Sequence, residues 1–272
     1  MSLVDFREEN IFEDSVTGHV RKANEDASDM AAQTPNGDVF VVCDGMGGHA
    51  GGATASKIAV GSIIYYLQHE EYPNPQKALY HALEYANRQI LGYADKHAEL
   101  RGMGTTVCIL LLQDDKAWIA HVGDSRIYLF LGKERRLHRI TKDHSYVQTL
   151  VDIGEITDEQ AEMHPQKNCI TKALGIKPDI KSEVAFNPTL PKNGDVFLIC
   201  SDGLSGMIND STIEDVLTQK TSILKKGRKL IQLALENGGL DNITVQLIQV
   251  SNSPYMESVF KSYNPKKLDR NG

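Results

Sequence analysis

Asn36-Gly-Asp-Val-Phe-Val-Val-Cys-Asp44-Gly45 returns later in the chain as Asn193-Gly-Asp-Val-Phe-Leu-Ile-Cys-Ser-Asp202-Gly203. Each copy reads as a turn, a short strand apolar at every position, and an aspartate followed by glycine where the strand runs out. A strand that is apolar on both faces has to be covered on both sides. Three more runs, Val107–Leu112, Ile127–Leu131 and Ile243–Ile248, share this character and are bounded by Gly, Asp or Asn. Together with Val39–Cys43 and Val196–Cys200 they form the interior strands of a layered fold.

Amphipathic helices lie between these strands. After His49, the residues Ala55, Ile58, Ala59, Ser62, Ile63 and Tyr66 recur at the i, i+3, i+4 spacing of a buried stripe. Asn74-Pro75 places a capping residue ahead of proline at the first helical position, and the stripe Leu79, Ala82, Leu83, Ala86 and Ile90 follows. Ser211…Glu214 has capping-box spacing ahead of a further helix. Ser222 opens the next one, which stops at Asn237-Gly238-Gly239. Helices therefore come in pairs rather than after every strand, which suits two sheets packed together with helices outside better than a doubly wound parallel sheet.

The stretch from about Lys142 to Leu174 is polar, with Thr157…Gln160 marking a short helix and His164-Pro165 a break. It reads as an insert over the rim of the fold. From Ser251 the hydrophobic pattern fades, so residues 1–250 are expected to form one domain and 251–272 a polar tail.

At 272 residues, 41% of them apolar and 24% charged, the composition is that of an ordinary globular chain. No apolar run is long enough for a membrane span, and the start lacks the layout of a signal peptide. With 29 basic against 36 acidic residues the net charge is −7, which disfavours a dedicated nucleic-acid binder. Cys43, Cys108, Cys169 and Cys200 show no C-x-x-C spacing, and three of them sit inside apolar runs as small core hydrophobes. A cytoplasmic monomer is expected.

The chemistry lies in the aspartates. Asp44 and Asp202 end the two repeated strands, Asp124 sits in His121-Val-Gly-Asp-Ser-Arg126, and Asp241 opens the last strand in Asp241-Asn-Ile-Thr244. A carboxylate at the end of a buried strand costs several kcal/mol in desolvation unless a cation meets it. Too few lysines and arginines lie at matching strand ends to pair them all. An isolated Asp-Gly is ordinarily a tight turn, but the recurrence favours a hard divalent cation with oxygen ligands, Mg²⁺ or Mn²⁺ rather than Zn²⁺. Two such ions bridged by one carboxylate would make a water nucleophile at neutral pH and stabilise in-line displacement at phosphorus. Val20-Arg21-Lys-Ala-Asn-Glu25-Asp26 adds an arginine, whose planar head matches phosphate, followed by two acids.

The set VRKANED, VVCDGMGGHAGG, GMGTTV, HVGDSRIY, CSDGL and DNIT resembles the metal-dependent protein phosphatases of type 2C, in family order from about residue 18 to 250. The resemblance implies a four-layer α-β-β-α sandwich of two mainly antiparallel sheets flanked by helix pairs. It also implies hydrolysis of phosphoserine and phosphothreonine in proteins. Carried over position by position, Asp44 would bridge two Mn²⁺ or Mg²⁺ ions and the Gly45 carbonyl would bind one. Asp202 and Asp241 would hold the other. Glu25 matches an acid that binds metal water, Asp26 one that supports the site, and Arg21 the phosphate-binding arginine. Asp124 matches a ligand of a third, weaker ion shared with Asp202, as in bacterial-type members. The 142–174 insert matches the flap beside the active site. The implied partners are phosphorylated proteins, with a bacterial-type serine/threonine kinase and its targets as the setting.

One position departs from many eukaryotic members, which carry histidine where this chain has Met46. Methionine cannot protonate a leaving group, so that acid is unassigned; His49, at an expected helix start, is left out of the site. Two other readings compete. Gly45-Met-Gly47-Gly-His-Ala50 fits the dinucleotide pattern G-x-G-x-x-A, but the region about 20 residues on is still helical and Asp202 and Asp241 would have no role. A catalytically dead relative acting as a binding module would have lost metal carboxylates, and this chain keeps the principal ones.

Overall fold

Alternation along the strands sorts the apolar residues into three separate cores. Val39, Val41 and Cys43 point to one side of their strand and Phe40 and Val42 to the other. Val196, Leu198 and Cys200 likewise oppose Phe197 and Ile199. The computed structural model describes residues 2–7, 9–47, 50–180, 183–184 by backbone, and 189–252. Within them the strands are β1 (Ile11–Val16), β2 (Asp26–Thr34), β3 (Gly37–Met46), β4 (Gly104–Thr105), β5 (Val107–Gln113), β6 (Lys116–Val122), β7 (Arg126–Leu131), β8 (Arg136–Arg139), β9 (Glu183–Val184), β10 (Val196–Cys200) and β11 (Ile243–Gln249). The helices are α1 (Gly51–His69), α2 (Pro75–Lys96), α3 (Tyr146–Asp152), α4 (Asp158–Glu162), α5 (Asp202–Ser205), α6 (Asp210–Thr218) and α7 (Ile223–Glu236).

One sheet runs β1-β11-β10-β7-β8 and the other β2-β3-β5-β6-β9, with β4 paired to β3. Every pairing between these strands is antiparallel. The middle core lies between the sheets (Leu3, Phe40, Leu110, Ile127, Phe197, Ile248). A second core joins the β2–β9 sheet to α1 and α2, and a third joins the β1–β8 sheet to α6 and α7. This is the four-layer α-β-β-α sandwich expected from the paired helices. The two repeated strands are both interior, β3 beside the edge strand β2 and β10 at the middle of its sheet, and their turn aspartates do the same work. Asp38 accepts the Gln33 amide at 2.8 Å, and Asp195 accepts the Gly132 and Lys192 amides at 2.9 and 2.8 Å.

Helix ends follow the sequence signals with one exception. Asn74 caps α2 by accepting the amides of Gln76 and Lys77, Thr157 and Gln160 form a capping box on α4, and Ser222 caps α7. The cap of α6, however, is Asn209 and not Ser211. The Asn209 side-chain Oδ1 takes the Thr212 amide at 2.9 Å, while Glu214, the other half of the expected box, accepts the Leu137 amide on β8 at 2.7 Å. Asparagine is among the strongest N-caps, and the glutamate is already engaged across the fold. The buried stripe of α1 is also turned from the one expected. Ser56, Val60, Ile64 and Leu67 are buried beside Ala55, Ala59 and Ile63, while Ile58, Ser62 and Tyr66 are half-exposed. On this buried face the Ser56 hydroxyl donates to the Glu25 carbonyl at 2.6 Å.

Cys43, Cys108 and Cys200 are buried and Cys169 is exposed, all as free thiols. Among the described residues no helix is long and apolar enough to cross a membrane. The amides of Ser251 and Asn252 both donate hydrogen bonds to the Leu3 carbonyl; the rest of the expected tail, 253–272, lies outside the described residues, as does His49.

Candidate metal centre

The layer between the sheets is apolar for most of its length and polar at one end. Along β3 the inward row runs Phe40, Val42, Asp44; beside it Leu110 and Cys108 on β5 lead to Thr106. On the facing sheet Phe197 and Ile199 lead to Ser201, and Ile248 leads through Gln246 to Thr244. Period-two alternation therefore delivers the strand-terminal polar residues of both sheets to one place.

A cleft of about 650 Å³ opens over this polar end, lined by Arg21, Glu25, Asp44, Gly45, Asp124, Asp202 and Asp241. Of the residues singled out from the sequence, only Asp26 is not on its wall. Asp26 lies beneath, where its Oδ2 accepts the hydroxyls of Thr244 at 2.6 Å and Ser201 at 2.8 Å. It thereby ties β2 of one sheet to β10 and β11 of the other. Met46 lines the same cleft.

The electrostatics of the cleft are those of crowded acids. Burial first, then the charges of Asp26, Asp202 and Asp124, holds the Asp44 carboxyl well above the ordinary carboxylate range. The Asp44 and Asp202 carboxyl groups are within hydrogen-bonding reach of each other, and Asp202 is itself raised by burial and by the charge of Asp241. Asp124 is pushed up to about 8 by burial and then by Asp202 and Asp143. Burial raises Asp26 to about 7 despite its two hydroxyl donors. The nearby bases do not neutralise this group. Arg21 reaches only Asp241, its Nη2 donating to Oδ2 at 2.6 Å, and Arg126 is engaged by Asp143, the shortest contact being 2.7 Å.

Two buried carboxylate oxygens, Asp202 Oδ1 and Asp26 Oδ1, have no hydrogen-bond partner among the described residues. An unpaired buried charge of this kind is costly, and a hard divalent cation with oxygen ligands is the partner that fits an all-carboxylate donor set. Among the described residues no three His, Cys, Asp or Glu side chains close into a ready-made cation cage; the acids line an open cleft instead.

Sequence reasoning missed the residues that hold this arrangement. Asn242 is the chief one: its Nδ2 donates to the carbonyls of Thr17 and Ala23, both at 2.9 Å, and its Oδ1 accepts the Glu25 amide at 2.8 Å. It fixes the Arg21 loop and Glu25 to the start of β11. Thr106 does the same for Asp44, whose amide donates to its Oγ1 at 3.0 Å. Asn168 and Ile170 bring the 142–174 insert to the cleft wall. Gly45 and Gly52 of VVCDGMGGHAGG serve packing: a Cβ at Gly45 would lie 2.1 Å from the Gly52 carbonyl oxygen and 2.5 Å from that of Glu25. Backbone crosses backbone here, so this glycine pattern needs no nucleotide to explain it.

Comparison with known proteins agrees with the geometry. The family profile described as Protein phosphatase 2C matches residues 18–238. Protein phosphatase PhpP of Streptococcus pneumoniae is 38% identical over 237 residues, 86% of this chain and 94% of its own length. The structure of serine/threonine phosphatase Stp1 from Staphylococcus aureus aligns with a TM-score of 0.83 at 34% identity, covering 93% of this chain and 98% of that one. The catalytic domain of serine/threonine protein phosphatase PstP, in complex with 2 manganese ions, aligns with a TM-score of 0.77 at 34% identity, covering 89% and 98%.

Proposed function

The chain belongs to the protein phosphatase 2C family, and from that premise we propose that it is a cytoplasmic Mn²⁺- or Mg²⁺-dependent hydrolase of phosphoserine and phosphothreonine in proteins. The observation that supports this reading is the facing of Asp44, Asp124 and Asp202 across one cleft, each raised by burial and by neighbouring acids. Such a cluster suits a resident cation and is poorly suited to an empty binding surface.

In this reading Asp44 and the Gly45 carbonyl, with Asp202 and Asp241, would hold two divalent ions, and Asp124 with Asp202 would hold a third, weaker one. When bound, the ion pair supplies Lewis acidity and an activated water for in-line displacement at phosphorus. Glu25 orients water beside the ions, held at its own amide by Asn242. Asp26 sets the spacing of the two sheets beneath Asp44 through Ser201 and Thr244. Arg21 is about half exposed and swings from Asp241 to the phosphoryl oxygens, as its reach and planar donors allow. The catalytic domain spans residues 1–250. The leaving-group acid is not Met46, which has no proton to give.

The dinucleotide reading fails on the fold, since it requires a parallel sheet whereas both sheets are antiparallel. The test is phosphate release from a phosphothreonine peptide. Release that needs Mn²⁺ and stops in EDTA is the expected result, and release unaffected by EDTA would reject the reading.

A further inference from the structure

A second groove, about 630 Å³, runs from the cleft and shares Asp124, Asn168 and Asp202 with it. One wall is the insert: Val147 and Val151 on α3, Ala161 on α4, and Met163 just after it. The other wall is the turn between α5 and α6, with Met207 and Ile208. The volume is within the range of ligand sites, about 300–1,000 Å³.

Two features point to what this groove accepts. The first is apolar exposure. Met163 is 88% exposed and lines the groove. With the part-buried Val151 and Met207 it leaves an apolar strip open along the groove. The second is charge. The groove carries Asp158 and Glu162 on α4 and Asp210 at the start of α6. Asp158 and Glu162 form no ion pair among the described residues, whereas Asp143 is taken up by Arg126. Arg139 also leans on Asp143, at 4.0 Å. Lys167 is the lining base without an ion pair among the described residues, so unpaired acid prevails.

On the reading that the cleft hydrolyses phosphoesters, we propose that this groove holds the polypeptide flanking the phosphoresidue of the substrate protein. It favours a segment that carries an apolar side chain and a basic one. The apolar side chain packs against Val151, Met163 and Met207, and the basic one faces Asp158 and Glu162. Continuity with the cleft supports this occupant, because Asp124, Asn168 and Asp202 line both, so a chain whose phosphoresidue sits over Asp44 can run on into the groove.

The test compares two phosphothreonine peptides with leucine on both sides and either arginine or glutamate flanks, using p-nitrophenyl phosphate as the reference for the cleft alone. Wild-type protein is expected to prefer the arginine peptide in kcat/KM by roughly tenfold. The Asp158→Lys/Glu162→Lys double variant is expected to reverse that preference. Met163→Asp should lower both peptides relative to the small ester. A preference that is absent in the wild type, or unchanged within twofold in the double variant, while the small ester is turned over, overturns the inference alone. Failure to hydrolyse any of the three esters with Mn²⁺ overturns the phosphatase reading, and the inference with it.

Discussion

Asp26 and Asp44 stand directly opposite each other across the β2–β3 ladder. Side chains paired in this way share a face of the sheet at close range, where like charges destabilise. The two therefore part company: Asp26 takes hydroxyls from the facing sheet, and Asp44 turns into the cleft with Asp202. The fold holds an electrostatically unfavourable pair at its functional end, and the consequences are measurable.

Metal-free protein should lose stability as pH rises. Asp124, held at about 8, and Asp26, at about 7, keep protons in the folded chain that the unfolded chain releases near pH 4. Their stabilising contribution is fully present below about pH 4 and is lost as pH climbs through 7 to 8. The melting temperature in EDTA should therefore fall between pH 5 and pH 8.5, less so in an Asp26→Asn/Asp124→Asn variant. A flat or rising wild-type profile would contradict this.

Divalent cation should reverse that loss. A ligand that binds only the folded state adds about 2.7 kcal/mol at a concentration one hundred times its Kd. Thermal melts at pH 8 with and without excess Mn²⁺ should show a rise of several degrees, absent in Asp202→Ala.

Asn242→Ala should act on both stability and substrate affinity. It removes the bonds of a buried side chain to Thr17, Ala23 and Glu25, leaving carbonyls and an amide unmet. A loss of about 1–3 kcal/mol in urea denaturation is expected. KM should rise more than kcat falls, because the Arg21 loop is released.

Gly203→Ala tests the backbone crossing. A Cβ there would lie 1.9 Å from the Asn242 carbonyl oxygen, so β11 has to move. Overpacking of this order costs about 1–3 kcal/mol, and the shift displaces Asp202 and Asp241 together. Mn²⁺ affinity measured by calorimetry should fall along with stability.

Much of this was legible in the sequence. The interior strands announce themselves because burial on both faces makes them apolar throughout, and an aspartate at the end of such a strand is conspicuous. Asn209 was not legible as the cap of α6, because Ser211 and Glu214 satisfy the same local rule and only the distant Leu137 amide decides against them. The rotation of α1 was hidden for the same reason, since the face it buries is set by packing on the distant strands and includes Ser56, bonded to Glu25. Asn242 gave no signal beyond its place beside Asp241; its three partners lie at the other end of the chain. Patterns confined to one element can be read directly, whereas contacts between elements have to be seen.

Calorimetric titration of Mn²⁺ into wild-type protein and into Asp44→Asn tests the central claim most directly. The account predicts two saturable Mn²⁺ sites per chain in the wild type, and loss of both in the variant along with phosphate release from phosphothreonine peptide. No saturable binding in the wild type, or equal binding in the variant, would contradict it.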